Sequence, residues 1–360
     1  NCSSQTGSED SFQYDAAQAL VYKQFQTGLD TLPEDGRAVV QAAGGLLAYL
    51  YDTQKTDLSH ISAFRCYTAG QYMELDLTAR RNLELSQTLR SKEKKGSLLW
   101  VLDRTKTAMG GRLMRGWMER PLLSPVQIAR RQQAVSDLVE NSVTRQELAI
   151  ALRDVTDLER LIGRVVYGTA GGRDLAALAA GLGKLPWLRE LLAGAKSALL
   201  QTLREQLDDL PQLREQLMQG LVDEPPFSVR EGKFIRDGFD PEVDRLRNII
   251  AHGGDMIVDL ERGTKEQSGI KNLKVGFNKV FGYYIEVAKS QAHLVPGDWV
   301  RRQTTTNAER YISQELKELE HTILSAQDQV VALEYQLFCK LRDQVCRHVA
   351  EIQRSAAAVA

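Results

Sequence analysis

The sequence predicts a mainly α-helical protein in which two long, coiled-coil-like helices frame one small antiparallel β-unit. Three observations predict it. Residues 79–221 repeat apolar side chains at helical spacing with few breaks. Toward the end of the chain, Ile312, Leu316, Leu319, Ile323, Ala326, Val330, Leu333 and Leu337 recur at alternating steps of four and three, which is a heptad seam. Between residues 271 and 312 the pattern changes, and apolar and polar residues alternate one by one.

Composition narrows the functional classes. With 360 residues there is enough chain for two or more domains, each with its own core. No run of eighteen apolar residues occurs, so no membrane-spanning helix is expected. The opening NCSSQTGSED has neither the basic nor the apolar region of a secretion signal, which points to a cytoplasmic protein. It also lacks an initiator Met, and SAAAVA stops without a cap, so the chain reads as an excised piece of a larger protein. Cys2, Cys66, Cys339 and Cys346 have no metal-site spacing and read as reduced thiols; Cys339 and Cys346, seven apart, share a helical face. The histidines form no HxxxH or HExxH pair, and no metal site is expected.

In chain order, residues 16–28 and 36–52 carry two helical patterns, with Pro33-Glu34-Asp35-Gly36 as the turn between them. In 57–78, Tyr72, Glu74 and Asp76 alternate with Met73, Leu75 and Leu77, which predicts one or two short strands. Helices then follow one another. Leu98, Leu102, Leu113 and Trp117 lie on helical spacing up to Pro121, and Leu158, Ile162 and Val165 continue the theme. Gly171-Gly172 and Pro186 divide the run, Asp223-Glu224-Pro225-Pro226 ends it, and 227–234 reads as extended.

The first long helix has a strong start. Asp240 can cap, Pro241 suits the first helical position, and Glu242 sits at the positive end. Val243, Leu246, Ile250, Ile257 and Leu260 form its apolar line to Gln267, roughly 40 Å of helix. Gly253-Gly254 weakens its middle, at about 1 kcal/mol per glycine relative to alanine. For the second, Thr306 and Glu309 have capping-box spacing, which predicts a helix over 307–349 of roughly 65 Å. The two are expected to pack antiparallel and to project in part from the body.

Between them, Leu273, Val275 and Phe277 alternate with Lys274, Gly276 and Asn278. Tyr283, Ile285 and Val287 alternate with Tyr284, Glu286 and Ala288, so a hairpin turning at 278–282 is predicted. Residues 299–305 supply a third strand. From Lys265 to Arg310 there are eight Lys/Arg against four acids, whereas the whole chain has a net charge of −1. An acidic stretch adjoins it, with Glu315, Glu318, Glu320 and Asp328 against Lys317. This placement favours contact with the phosphates of a polyanion over a merely solvated face. Nothing looks like a recognition helix, so such contact would not read sequence. Phe281, Tyr283 and Tyr284 read as core rather than as a platform for bases.

Catalytic patterns are missing. Gly183-Lys184 and Gly232-Lys233 are followed by Leu and Phe, so neither is a phosphate loop, and GTAGG at 168–172 reads as a helix break. No nucleophile elbow, zinc-protease helix or catalytic carboxylate pair is visible. This chain is not expected to be an enzyme.

The blocks TARRNLEL (78–85), MGGRLMRGWMERPL (109–122), DLERLIGRV (157–165), LKVGFNKVFGYYIEV (273–287) and RRQTTTNAERYISQELKELE (301–320) closely resemble the MutS family of DNA mismatch repair proteins. The similarity is collinear from about residue 14 to the end. It implies a layout: residues 1–52 as the tail of a connector domain, 53–249 as the first part of a core/lever domain, 250–315 as a clamp domain with lever stems, and 316–360 as the returning part of the core/lever. It further implies a homodimer whose clamps close around double-stranded DNA and whose levers relay ATP-driven changes, with a MutL-type partner and no membrane contact. ATP and Mg belong to the full-length protein, and no cofactor is implied for this piece. Carried over by position, the DNA-facing candidates are Lys274, Asn278, Lys279, Arg301, Arg302 and Asn307. For Arg310 and the arginines of 78–85, internal ion pairs are the competing expectation. The family's mismatch-reading Phe-x-Glu motif occurs nowhere here, so neither mismatch recognition nor ATP hydrolysis is expected of this piece. Two other readings stay open: a MutS-like branch without mismatch reading, against which the connector tail at 14–52 argues, and a helical protein-interaction scaffold.

Overall fold

The structure is a computed structural model that describes residues 9–25, 36–54, 58, 61, 70–228, 231–278 and 282–360. Helices α1 (Tyr14–Phe25), α2 (Arg37–Gln54), α3 (Leu77–Asn82), α4 (Leu98–Leu102), α5 (Ala108–Glu119) and α6 (Pro125–Glu140) open the fold. Then come α7 (Ser142–Ala151), α8 (Leu158–Val166), α9 (Gly172–Leu182), α10 (Leu185–Leu191), α11 (Ala198–Gln206) and α12 (Pro211–Gly220). The long α13 (Pro241–Ser268) leads into strands β1 (Lys274–Asn278), β2 (Gly282–Ala288), β3 (Val300–Thr304) and β4 (Ala308–Ile312), and α14 (Gln314–Arg347) and α15 (Val349–Val359) close the chain. The fold class is the expected one. Two compact units result: Asn1–Ala170 with Asp174–Glu215 and Arg342–Ala360, and Gly171–Arg173 with Gln216–Leu341.

In the first unit most helices are short, so capping and packing must stabilise them rather than propensity. Side chains of Asp76, Ser97, Thr107, Ser124, Asn141, Asp157 and Ser197 each accept a first-turn N–H, a contribution of about 1 kcal/mol apiece. α8 buries Leu158, Ile162 and Val165 and packs on α15, which buries Val349, Ile352, Ala356 and Val359. Helices α1 and α2 pair closely because Gly44 abuts Ala17, where a Cβ would approach to 2.4 Å.

Among the described residues, the expected strands in 57–78 reduce to a single bridge, Tyr72 to Leu122. Asp76 accepts the Ala79 N–H at 2.6 Å, so the chain turns into α3 instead of extending. Of the rest, 55–57, 59–60 and 62–69 lie outside the described residues, as do Pro33, Glu34 and Asp35. Pro186 stands in the first turn of α10, so it opens a helix as well as dividing the run.

In the second unit, α13 starts as predicted. Asp240 accepts from the Glu242 and Val243 N–H groups, and the helix ends at Gly269, whose φ of 70° gives the left-handed turn out of the last residue. α13 and α14 run antiparallel: Arg247 meets Glu334, Gly253 meets Ile323, and Leu260 packs on the cluster that holds Leu316. Gly253 proves to be a contact point. A Cβ there would lie 3.1 Å from Ile323 Cδ1, whereas one on Gly254 would meet nothing.

The start of the closing helix is a correction. Residues 308–312 form a fourth strand, and the helix begins at Gln314 with Ser313 Oγ accepting the Leu316 N–H. The Thr306–Glu309 box does not form. Thr305 closes a two-residue turn onto Ala308 instead, and Tyr311 pairs across to Ile285. Burial of Tyr311 and Ile312 in the sheet outweighs a cap on an exposed turn. α14 is therefore 34 residues, roughly 50 Å rather than 65. Of the heptad seam, Leu316, Ile323, Ala326, Val330 and Leu337 are buried, while Ile312 belongs to the sheet.

Candidate nucleic-acid interface

The sheet is antiparallel throughout, in the order β1-β2-β4-β3. Its inner face packs Ile285, Val287 and Tyr311 with Ile270, Leu273 and Leu316, flanked by Leu260, Val275, Tyr283 and Trp299. Both helices thus contribute to the core of the sheet.

A carboxylate from each helix fixes the sheet. Glu261 of α13 accepts the Val275 N–H at 2.9 Å on edge strand β1, and also Lys265 Nζ at 2.6 Å. The Lys265 hydrogen bond, aided by the Val275 N–H and the charge of Lys274, holds the Glu261 carboxyl below its usual range. Glu320 of α14 accepts the Tyr283 N–H at 3.0 Å. Gly282 makes that approach possible, because its φ is +76° and a Cβ would lie 2.0 Å from Glu320 Oε1.

Two acids of the sheet itself are also engaged. Glu286 pairs with Arg310 at 3.0 Å, and Glu309 accepts from the Tyr311 hydroxyl, which raises the Tyr311 pKa. Across the outer face, register aligns Lys274, Glu286, Arg310 and Gln303 on four successive strands. Arg310 also lies 4.3 Å above the Tyr284 ring, which covers Gly276.

The sequence candidates fall into different positions. Lys274 and Asn278 share the outer face of β1, with Lys274 exposed and Asn278 half-buried. Arg301 lies opposite Tyr311 on the inner side and reaches Glu309 at 3.5 Å. Arg302 is exposed on edge strand β3 and has no ion-pair partner among the described residues. Asn307 is exposed at the β3–β4 turn, at the end of the sheet opposite the Glu320-pinned hairpin. Asn278 and Asn307 are therefore not neighbours: the six-residue run of β2 between their levels spans roughly 20 Å. Lys279 and Phe281 lie outside the described residues. Arg310 is held internally, the outcome that competed with DNA contact. Lys289, not among the candidates, is exposed and its N–H donates to Asn307 O at 3.2 Å. Only the β2–β4 pairing brings it beside Asn307, and no local sequence signal could have done so.

The family profile described as MutS domain III matches residues 78–360. The chain belongs to the MutS family. The DNA mismatch repair protein MutS of Lachnoclostridium phytofermentans is 47% identical over 351 residues, covering 96% of this chain and 38% of the relative. That of Desulforamulus reducens is 48% identical over 338 residues, 94% of this chain and 39% of the relative. That of Listeria monocytogenes is 44% identical over 340 residues, 92% and 40% respectively. The chain thus spans well under half the length of these relatives.

Within this MutS-family chain, the sheet and its two helices lie inside the matched domain III. Two of the sequence landmarks meet in the first unit. Arg112 of the 109–122 block donates to both oxygens of Asp157, at 2.8 and 2.7 Å, and to Glu159 at 2.8 Å. The Arg112 hydrogen bonds hold the Asp157 carboxyl below its usual range while it caps α8. These landmark residues are structural. Among the described residues there is no group of three or more His, Cys, Asp or Glu that could hold a metal, and no helix long and apolar enough to cross a membrane.

Proposed function

We propose that this chain is the lever and clamp region of a DNA mismatch repair protein, and that its sheet grips the backbone of duplex DNA. One observation carries the reading. Glu261, Glu286 and Glu309 are paired with Lys265, Arg310 and Arg301, while Lys274, Lys289 and Arg302 stay exposed without an ion-pair partner among the described residues. A surface so arranged presents positive charge that is not cancelled locally. Such contacts position a duplex without reading its sequence. Residues 250–315 act as the clamp, and α13 and α14 as the levers. In the whole protein, a homodimer with a MutL-type partner, these levers relay changes driven by ATP and Mg bound elsewhere in the longer chain. The family resemblance supports that part of the reading.

Equilibrium binding of the chain to homoduplex and mismatched duplex over 50–200 mM salt tests it. With three or four phosphates neutralised, log K against log salt should have a slope of about −2.7 to −3.6. Both duplexes should bind equally. Absence of binding at the lowest salt, or a clear preference for the mismatch, overturns the assignment.

A further inference from the structure

Three arginines lie close together on β3 and β4, and they are not equivalent. Arg301 reaches Glu309, and Arg310 is paired to Glu286; Arg302 alone is left over. The ladder explains why. Arg301 pairs with Tyr311 and Gln303 with Arg310, the next residue back, so Arg302 is an extra residue with no counterpart across the strand. This is a β-bulge, which kinks a strand and re-aims a side chain. It also changes the face on which Gln303 falls. In a regular strand Gln303, two residues on, would share the inner side with Arg301. With it, Gln303 joins the outer row, where its Oε1 accepts from Arg310 Nη1 at 3.0 Å.

Arg310 is itself fixed from three directions. Nε donates to Glu286 at 3.0 Å, Nη1 to Gln303, and the guanidinium rests on the Tyr284 ring. That ring in turn lies over Gly276, where a Cβ would meet its Cζ at 2.8 Å. A continuous set of contacts runs from β1 through β2 and β4 to the bulge on β3.

We propose that Arg302 is the phosphate-contacting arginine of the edge strand, and that Arg310 is a positioning residue that holds the bulge through Gln303. The inference rests on the DNA-gripping reading above and narrows it, since Arg301 and Arg302 cease to be alternatives. Only the forked, planar guanidinium can donate to Glu286 and Gln303 while stacked on Tyr284; a lysine keeps the charge but not the fork.

Binding of the full chain and its variants to a duplex, measured over the same salt series, tests this. R302Q should weaken binding about three- to tenfold at 50 mM salt and reduce the salt slope by about 1. R310K, with unchanged net charge, should lose about as much, and R310K/R302Q no more than R302Q alone. Q303A, an exposed change that removes only the acceptor, should move binding in the same direction with the melting temperature unchanged, which guards against a misfolded R310K. R301Q should cost less than R302Q. Parent-like binding by R302Q or by both R310K and Q303A, additivity in the double variant, or a larger loss in R301Q overturns the inference. Salt-independent or absent binding by the parent chain instead overturns the DNA reading on which it rests.

Discussion

Near the start of α13, Arg247 and Glu334 neutralise each other beside Phe234, whereas just past its end Lys274 and Arg302 face solvent with no such partner among the described residues. Leu316 and Glu334, the α14 residues that mark these two regions, lie eighteen positions apart, roughly 27 Å of helix. In the first region an acid that is 1% exposed accepts from both Arg247, at 2.8 Å, and the Phe234 N–H, at 3.1 Å. In the second, Glu261 and Glu320 accept backbone N–H groups of the sheet. In both regions a glutamate takes a backbone N–H and a cation, Arg247 for Glu334 and Lys265 for Glu261, but in the second the cations Lys274 and Arg302 are not the ones taken. Whether a basic module stays basic therefore depends on what its acids bind, not on how many there are.

The largest expected effect comes from breaking the buried pair. Glu334→Ala leaves the buried Phe234 N–H without its acceptor and removes one of Arg247's partners, while Asp237 and the Ile235 carbonyl remain, and denaturant unfolding should show a loss of about 3 kcal/mol. The corresponding change in the sheet, Lys274→Gln, should stay within about 0.5 kcal/mol. Equal losses would remove the contrast.

The adjacent glycines of α13 sharpen it next. Gly253→Leu drives a side chain into Ile323 and should destabilise by about 1–3 kcal/mol, while Gly254→Ala, facing open space, should stabilise by about 1 kcal/mol. Opposite signs in thermal unfolding would show that only one glycine is required by packing. Gly282→Ala, at positive φ and against Glu320, should destabilise by about 1–2 kcal/mol.

The smallest effect is one of pH. Because the folded-state pKa of Glu261 is lowered, its contribution is fully present above the unfolded carboxyl value of about 4.3 and is lost as pH falls through that value toward the folded one. Glu261→Gln should therefore show a smaller drop in Tm between pH 6 and pH 3 than the parent. An unchanged drop would mean the anchor contributes nothing.

Much of this was legible in residues with a local signature. Asp240-Pro241 marked the start of α13 because capping is decided within one turn, and the alternation of 273–287 marked the hairpin because its period is two. Residues 306–312 were not legible, since a capping-box spacing and a strand both fit them, and pairing with β2, twenty or more residues back, and with β3 decides between the two. Gly253 carried a propensity cost but no sign of its contact with Ile323. Of the site, the cluster of cations was visible and its division was not. Arg301 and Arg302 are identical neighbours in sequence, and the ladder of β3 on β4 separates them.

The bulge at Arg302 has a second consequence, for self-association. β1 and β3 are the two edges of the sheet, and an open edge invites another copy to zip onto it. On β1, Glu261 occupies the Val275 N–H. On β3, where Val300 is 59% exposed, a kinked backbone carrying two arginines gives an incoming strand neither a straight template nor a neutral one. A variant lacking residue 302 would straighten that border, and edge-to-edge pairing of sheets from separate molecules is what light scattering should then detect.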